Sequence, residues 1–334
     1  MVRSSAIPAG QGPFFDELAV GQEFRAPAVT LTEGMAAAHR AILGDRLVLA
    51  LDHELCREVT GGPPLASPAL VWDVAIGQST VVTQHVRANL FYRGLTFRCA
   101  PVLGDTLRTR TEVVGLRQNR PRPGRPATGL AALRITTTDQ DDRPVLDFWR
   151  CAMLPLRDPD ADTGHADDLD QIGQDAAPPE FPSIVAGWRL DRLARRSAGL
   201  ALAELSPGQR FSVAGGDVVS SAPELARLTL NVAAVHHDAV AGGGQRLVYG
   251  GHAIGLALSQ AARALPGLVT VAGWHGCDHL GPVREGDTLR SEIAVERVDR
   301  LPTGGGLVHL RSLVRADGEP DRDVLDWRYV AVLA

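Results

Sequence analysis

The segment Glu17-Leu18-Ala19-Val20-Gly21-Gln22-Glu23-Phe24 returns in altered form as Glu204-Leu205-Ser206-Pro207-Gly208-Gln209-Arg210-Phe211. Gly104-Asp105-Thr106-Leu107-Arg108 reappears as Gly286-Asp287-Thr288-Leu289-Arg290, and Val145-Leu146-Asp147-Phe148-Trp149 as Val324-Leu325-Asp326-Trp327-Arg328. Three collinear matches, each separated by about half the chain, point to two copies of one folding unit. A length of 334 residues with 45% hydrophobic content gives each copy an ordinary domain size. We place the first copy at residues 1–156, an acidic join at 157–197 and the second copy at 198–334. The join runs from Asp158-Pro159-Asp160-Ala161-Asp162 through Asp167-Asp168-Leu169-Asp170 to Pro178-Pro179. Its like charges and prolines predict a surface linker with little structure of its own.

Several classes of function drop out early. A net charge of -5 with no basic stripe argues against nucleic acid as a partner. No apolar run is long enough to cross a bilayer, so no membrane partner is expected. Cys56, Cys99, Cys151 and Cys277 form no Cys-x-x-Cys pair, which suits free thiols in a reducing cytoplasm. Met1 to Gly12, short and broken by Pro8, does not read as a signal peptide.

Each copy begins with helical periodicity and ends with strands. In the first, Thr30 and Glu33 stand three apart ahead of a helix from Met35 to Leu43, with Gly44 as its stop, and a second helix opens at Ser67-Pro68. In the second, Ser221-Ala222-Pro223-Glu224 reads as a capping box for a helix carrying Leu225, Leu228, Val232 and Val235, and another helix opens near Gly250 and ends near Leu265. Four β-rich runs then follow in each copy, split by Arg120 to Pro126 and by Pro302 to Gly306 as hairpin tips. Each copy is thus an α+β unit, a helix followed by an antiparallel meander. Two such sheets can join edge to edge into one, which removes two open edges.

The densest polar segment is Asn231 to Asp238, containing His236, followed by Arg246-Leu247-Val248-Tyr249-Gly250-Gly251-His252. A histidine beside an amide and a carboxylate can move protons near neutral pH. Gly250-Gly251 at a helix start lets a carbonyl approach unpaired N–H groups, as an oxyanion hole requires. Each feature also has a plain reading: a helix-end histidine is often a cap, and Gly242-Gly243-Gly244 reads as a turn. His275, Cys277 and His279 would share one face of a straight strand and could make a zinc tripod, but without a fourth ligand core packing or a pocket wall fits better, and no metal is assigned. Arg117, Arg120, Arg122 and Arg125 could grip phosphates, although an Arg/Pro hairpin tip is usually solvated.

Gly44 to Asp52 and Asn231 to Asp238 both resemble the Asp-x-Asn-Pro-x-His-x-Asp motif of the MaoC-like, R-specific enoyl-CoA hydratase family, and Arg246 to Gly250 resembles its Pro-Ile-x-His-Gly segment. Within the family the second copy is most similar to the mesaconyl-CoA hydratase, or β-methylmalyl-CoA dehydratase, branch. The resemblance covers nearly the whole chain outside the join and implies a tandem, or double, hot-dog fold, in which each sheet wraps a central helix. It implies a hydro-lyase acting on a coenzyme A thioester, with no cofactor. His236 falls on the catalytic histidine and Gly250 on the oxyanion-hole glycine, whereas the first copy has Ala50 and Pro68 there. Proline has no N–H to donate. Asp45 keeps the position of the family's acid, and Asn231 replaces that acid in the second copy. We therefore expect catalysis from His236 and Asn231, and substrate contacts from Gly250, Gly251, Tyr249 and His252, with Asp238 orienting His236 or capping the backbone. The donors on Tyr249, His252 and Asn231 favour a short dicarboxylic acyl group such as mesaconyl. A hot-dog thioesterase and a non-catalytic acyl-CoA-binding protein remain as alternatives, and a homo-oligomer is left open.

Overall fold

The computed structural model describes residues 10–174, 184–194, 202–302 and 304–334. The first copy runs β1 (Glu23–Arg25), β2 (Val29–Thr30), α1 (Glu33–Leu43), α2 (Val48–Leu51), α3 (His53–Thr60) and α4 (Pro68–Gln78). Its meander is β3 (Ala88–Phe97), β4 (Thr106–Gln118), β5 (Thr128–Thr138) and β6 (Pro144–Pro155). After α5 (Leu190–Ala194) the second copy repeats the plan: β7 (Arg210–Ser212), β8 (Asp217–Val218), α6 (Ala222–Leu228), α7 (Gly250–Ala264), β9 (Leu268–His279), β10 (Thr288–Arg300), β11 (Gly306–Ala316) and β12 (Arg322–Leu333).

The strands form one 12-stranded sheet, ordered β1-β4-β5-β6-β3-β9-β12-β11-β10-β7, with β2 on β4 and β8 on β10. The halves join where β3 pairs antiparallel with β9, matching Tyr92 to Cys277 and Arg93 to Gly276. The edge-to-edge union expected from sequence is present, and the fold is the double hot-dog.

The repeated motifs do the same structural work twice. Asp105 and Asp287 accept the main-chain N–H of Val102 and Arg284 in equivalent turns. Asp147 and Asp326 each take a two-pronged bond from an arginine diagonally across on the neighbouring strand, Arg134 and Arg311. Gln78 and Gln260, near the ends of the central helices, donate to the carbonyls of Leu107 and Leu289. These bonds explain why the motifs persist while the site residues diverge.

α4 is buried along its whole length and α7 from Gly251 to Ala262. Trp72 of α4 meets Trp274 of β9 and Trp327 of β12 at ring separations of 4.9 and 6.0 Å, so one half's central helix packs on the other half's sheet. The two copies share a core.

Several local expectations need correction. Thr32, not Thr30, caps α1 by accepting from Met35 N–H, while Gly44 ends it at φ 66° as expected. Ser221 caps nothing: its backbone is left-handed (φ 57°), and Glu285 accepts the Ala222 N–H instead. α6 also stops at Leu228, because Thr229 turns its hydroxyl back onto Leu225 and Leu230 takes φ 60°. Val232 and Val235 therefore lie beyond it.

The join is more structured than its composition suggests. His165 O accepts from Gln118 N–H, and Leu169 and Ile172 pack against Gly115 on the outer face of the sheet. Val185, Trp188, Leu190 and Leu193 are buried. A few spaced apolar residues anchor an otherwise acidic segment; Pro178-Pro179 and Thr303 lie outside the described residues.

Candidate active site

Asn231 opens a tight turn, its side-chain oxygen accepting the N–H of Ala233 at 3.0 Å. Asp45 makes the same bond to Leu47 N–H at 2.9 Å, so the two motif copies are structurally equivalent. Because the Asn231 oxygen is committed, its orientation is fixed and its Nδ2 is left buried without a partner.

The Asn231–His236 loop rests on the first half. Val232 N–H donates to Thr80 Oγ1, and Ala234 N–H to Gln84 O. Gly77 of α4 permits this approach, since a methyl group there would overlap the carbonyl of Thr229. At the end of the loop His236 Nδ1 donates to Leu247 O at 2.8 Å. That bond sets the tautomer and leaves Nε2 as the basic nitrogen. Burial pulls the His236 pKa down to about 4, with neighbouring His237 and Arg150 adding to the shift and the Leu247 bond opposing it, so the ring is neutral at pH 7.

His236, Asn231, Tyr249 and Gly250 line one cavity of about 500 Å³. Gly250 is the first residue of α7, where amides have no intrahelical acceptor and the helix dipole is positive. A side chain there would run into His279, which lines the same cavity. Tyr92, Arg150 and Ile76 come from the first half, so the site is a composite of both copies. Arg87 and Arg284 also line it, their guanidinium groups bonded to the main-chain carbonyls of Ala241 and Gln245.

Not every residue singled out from sequence reaches this cavity. Gly251 faces Asp73 of α4 rather than the cavity. His252 is fully buried behind it, both ring nitrogens unpartnered, with its pKa lowered to about 4 by burial. Tyr249 is present, but its hydroxyl donates to Asp73. Asp238 is exposed and accepts from Val240 N–H, so it caps the backbone and does not orient His236.

His275 does not join Cys277 and His279: the register slips between Arg328 and Tyr329, turning His275 outward onto His309 at 2.9 Å. Among the described residues no group of three or more His, Cys, Asp or Glu could hold a metal. Arg117, Arg120, Arg122 and Arg125 line no part of the cavity.

The equivalent place in the first copy is nearly closed. Around Asp45, Ala50, Ser67 and His39 only about 20 Å³ remains. Ser67 donates to the second oxygen of Asp45, filling the place a substrate group would need.

Sequence reading passed over two buried charges. Asp73 is the one carboxylate in the apolar helix Pro68–Gln78, and Arg150 occupies an inward position of β6 between Phe148 and Ala152. A charge at a position whose period points inward is the signal that could have found both.

No family model matches the chain. It is 55% identical to a conserved hypothetical protein of Mycobacterium tuberculosis described as having a double hot-dog fold, with a TM-score of 0.92 and coverage of 98% of this chain and 100% of that one. It is also 28% identical over 319 residues to β-methylmalyl-CoA dehydratase of Chloroflexus aurantiacus, covering 92% of this chain and 89% of the relative. The chain belongs to the double hot-dog family. Mesaconyl-CoA hydratase of Cereibacter sphaeroides is 26% identical over 328 residues, covering 92% and 90%. Both of these enzymes are hydro-lyases by name. No helix is long and apolar enough to cross a membrane among the described residues.

Proposed function

We propose that this chain is a hydro-lyase that adds water to, or removes it from, the double bond of a short enoyl-CoA, with a dicarboxylic acyl group such as mesaconyl preferred. The observation that carries the reading is the meeting of His236, anchored through Nδ1, with the first amide of α7 in one cavity. The names of the two hydro-lyase relatives support the same activity and the dicarboxylic acyl group.

The thioester carbonyl points at the Gly250 N–H, which stabilises the enolate as it forms; losing one such donor costs roughly a hundredfold or more in rate. A water sits between Asn231 Nδ2 and His236 Nε2. Nε2 takes one proton as the oxygen bonds to the β-carbon, and the imidazolium then returns a proton to the α-carbon. Dehydration runs the same steps backwards. Asn231 cannot accept a proton, so its part is to hold the water oxygen while His236 does the acid–base work in both directions. Arg87 and Arg284 receive the coenzyme A phosphates. The second half thus carries the chemistry, and the first supplies walls and support.

Incubation with crotonyl-CoA and mesaconyl-CoA tests this directly. Hydration removes the enoyl absorbance without releasing thiol. Thiol release would make the protein a thioesterase, and binding without either change would make it a carrier.

A further inference from the structure

Arg150 is 3% exposed and lines the cavity, yet no carboxylate lies within ion-pair distance of it among the described residues. Its Nη2 donates to Ser79 O at 3.1 Å and Thr83 Oγ1 at 2.8 Å, both neutral acceptors. Nε is buried with no partner, and Nη1 makes no hydrogen bond to the described residues. Guanidinium stays charged in proteins, so this is a buried cation whose partners among the described residues are both neutral, an expensive arrangement. Tyr92 and Tyr249 lie near it, and no Asp or Glu among the described residues lines the cavity. Burial also lowers its pKa, while Tyr92 and Tyr249 oppose the shift.

Two bonds from Nη2 hold the guanidinium still and leave its remaining donors unused. A fixed, dry, positive group in a cavity fits a carboxylate, which can take two parallel N–H bonds from it. A methyl group in the same place would leave the cation unpaired.

We propose that Arg150, contributed by the half that has lost its own motif histidine, is the receptor for the distal carboxylate of the acyl group and so determines preference for dicarboxylic over monocarboxylic thioesters. This rests on the acyl-CoA reading above and names the residue responsible for the substrate class. The roles are separate: His236 and Gly250 act at the double bond and thioester, and Arg150 acts at the far end of the acyl chain.

The test is the ratio of kcat/KM for mesaconyl-CoA to that for crotonyl-CoA in the wild-type protein, Arg150→Lys and Arg150→Met. A charge-assisted bond of this kind predicts a fall in the ratio of at least about tenfold for Arg150→Met, with Arg150→Lys between the two. A parallel fall on both substrates, or an unchanged ratio, would overturn the assignment. Calorimetric titration of the same proteins with the saturated pair succinyl-CoA and butyryl-CoA needs no turnover. Tighter binding of succinyl-CoA to the wild-type protein, lost in Arg150→Met, supports the receptor even if hydration fails; equal binding of the pair refutes it. Arg150→Lys keeps the cation and most of the packing, so it remains informative if the methionine variant does not fold.

Discussion

The hydroxyl of Tyr249 donates to the carboxylate of Asp73 at 3.0 Å, across 176 residues and between the two halves. Tyr249 immediately precedes α7, and His39 holds the other oxygen of Asp73 at 2.9 Å. All three side chains are buried. Burial raises the Asp73 pKa while the bonds from His39 and Tyr249 oppose it, so the group depends on both partners to stay satisfied. The bond locates the start of the helix whose first residue lines the cavity. Tyr249→Phe should cost about 1–3 kcal/mol by leaving a buried acceptor short of a donor. It should also lower kcat more than it raises KM. Urea unfolding and steady-state kinetics on the same preparation check both, and an unchanged kcat would remove the positioning role.

His236→Ala should reduce turnover about a hundredfold or more with the fold intact by circular dichroism, since His236 is the one base that the proposed chemistry uses. Retention of more than about a tenth of wild-type turnover would mean that another group moves the proton.

The pH profile follows from the same residue. The base must be neutral, and its pKa in the free protein lies near 4, so kcat/KM should be level from about pH 5.5 to 8 and fall only as the solution approaches pH 4. A limb centred near the ordinary histidine value of about 6.5 would show that the cavity is wetter than its walls suggest.

Asp45→Asn and Asn231→Ala should differ sharply. Asp45 belongs to the nearly closed place in the first copy, and its loss is expected to cost stability through Ser67 while changing turnover less than about threefold. Asn231→Ala removes the turn bond to Ala233 and the unpartnered cavity donor together, and a tenfold or larger loss of kcat is expected. Equal damage from the two would tie the first copy directly to the chemistry.

His252 makes stability depend on pH. Its folded pKa, about 4, lies below the unfolded value near 6.5, so between those limits the unfolded chain binds more protons. Stability is therefore complete above about pH 6.5 and is lost as pH falls towards 4. The urea midpoint should drop over that window, and His252→Gln should flatten part of the drop. A midpoint independent of pH there would contradict the burial of a neutral imidazole.

Much of this architecture is legible in the sequence because it is carried by local rules. Gly44 and Pro68 mark helix ends through backbone geometry, and the strand runs follow from their β-branched residues. His236 and Gly250 stand out for the same reason, each lying beside a helix boundary. Ser221 misleads because its cap pattern is satisfied by Glu285, 64 residues away in sequence. Arg150, Tyr92 and Asp73 acquire meaning only when β3 meets β9 and α4 lies against α7, a long-range event that no window of sequence contains. Gly251 and His252 follow the glycine that does face the cavity, but the turn of the helix carries them away from it.

The contact between Asp73 and Gly251 has a counterpart that is missing. At the place matching Asp73, α7 has Gly255, packed on Leu43, and at the place matching Gly251, α4 has Ala69. A carboxyl side chain on one helix fits the bare backbone of the other, once and in one direction. Two identical subunits around a twofold axis would have to carry both the protrusion and the recess on each helix. Covalent fusion of the copies lifts that demand for symmetry, so each central helix needs to carry only its own half of the fit.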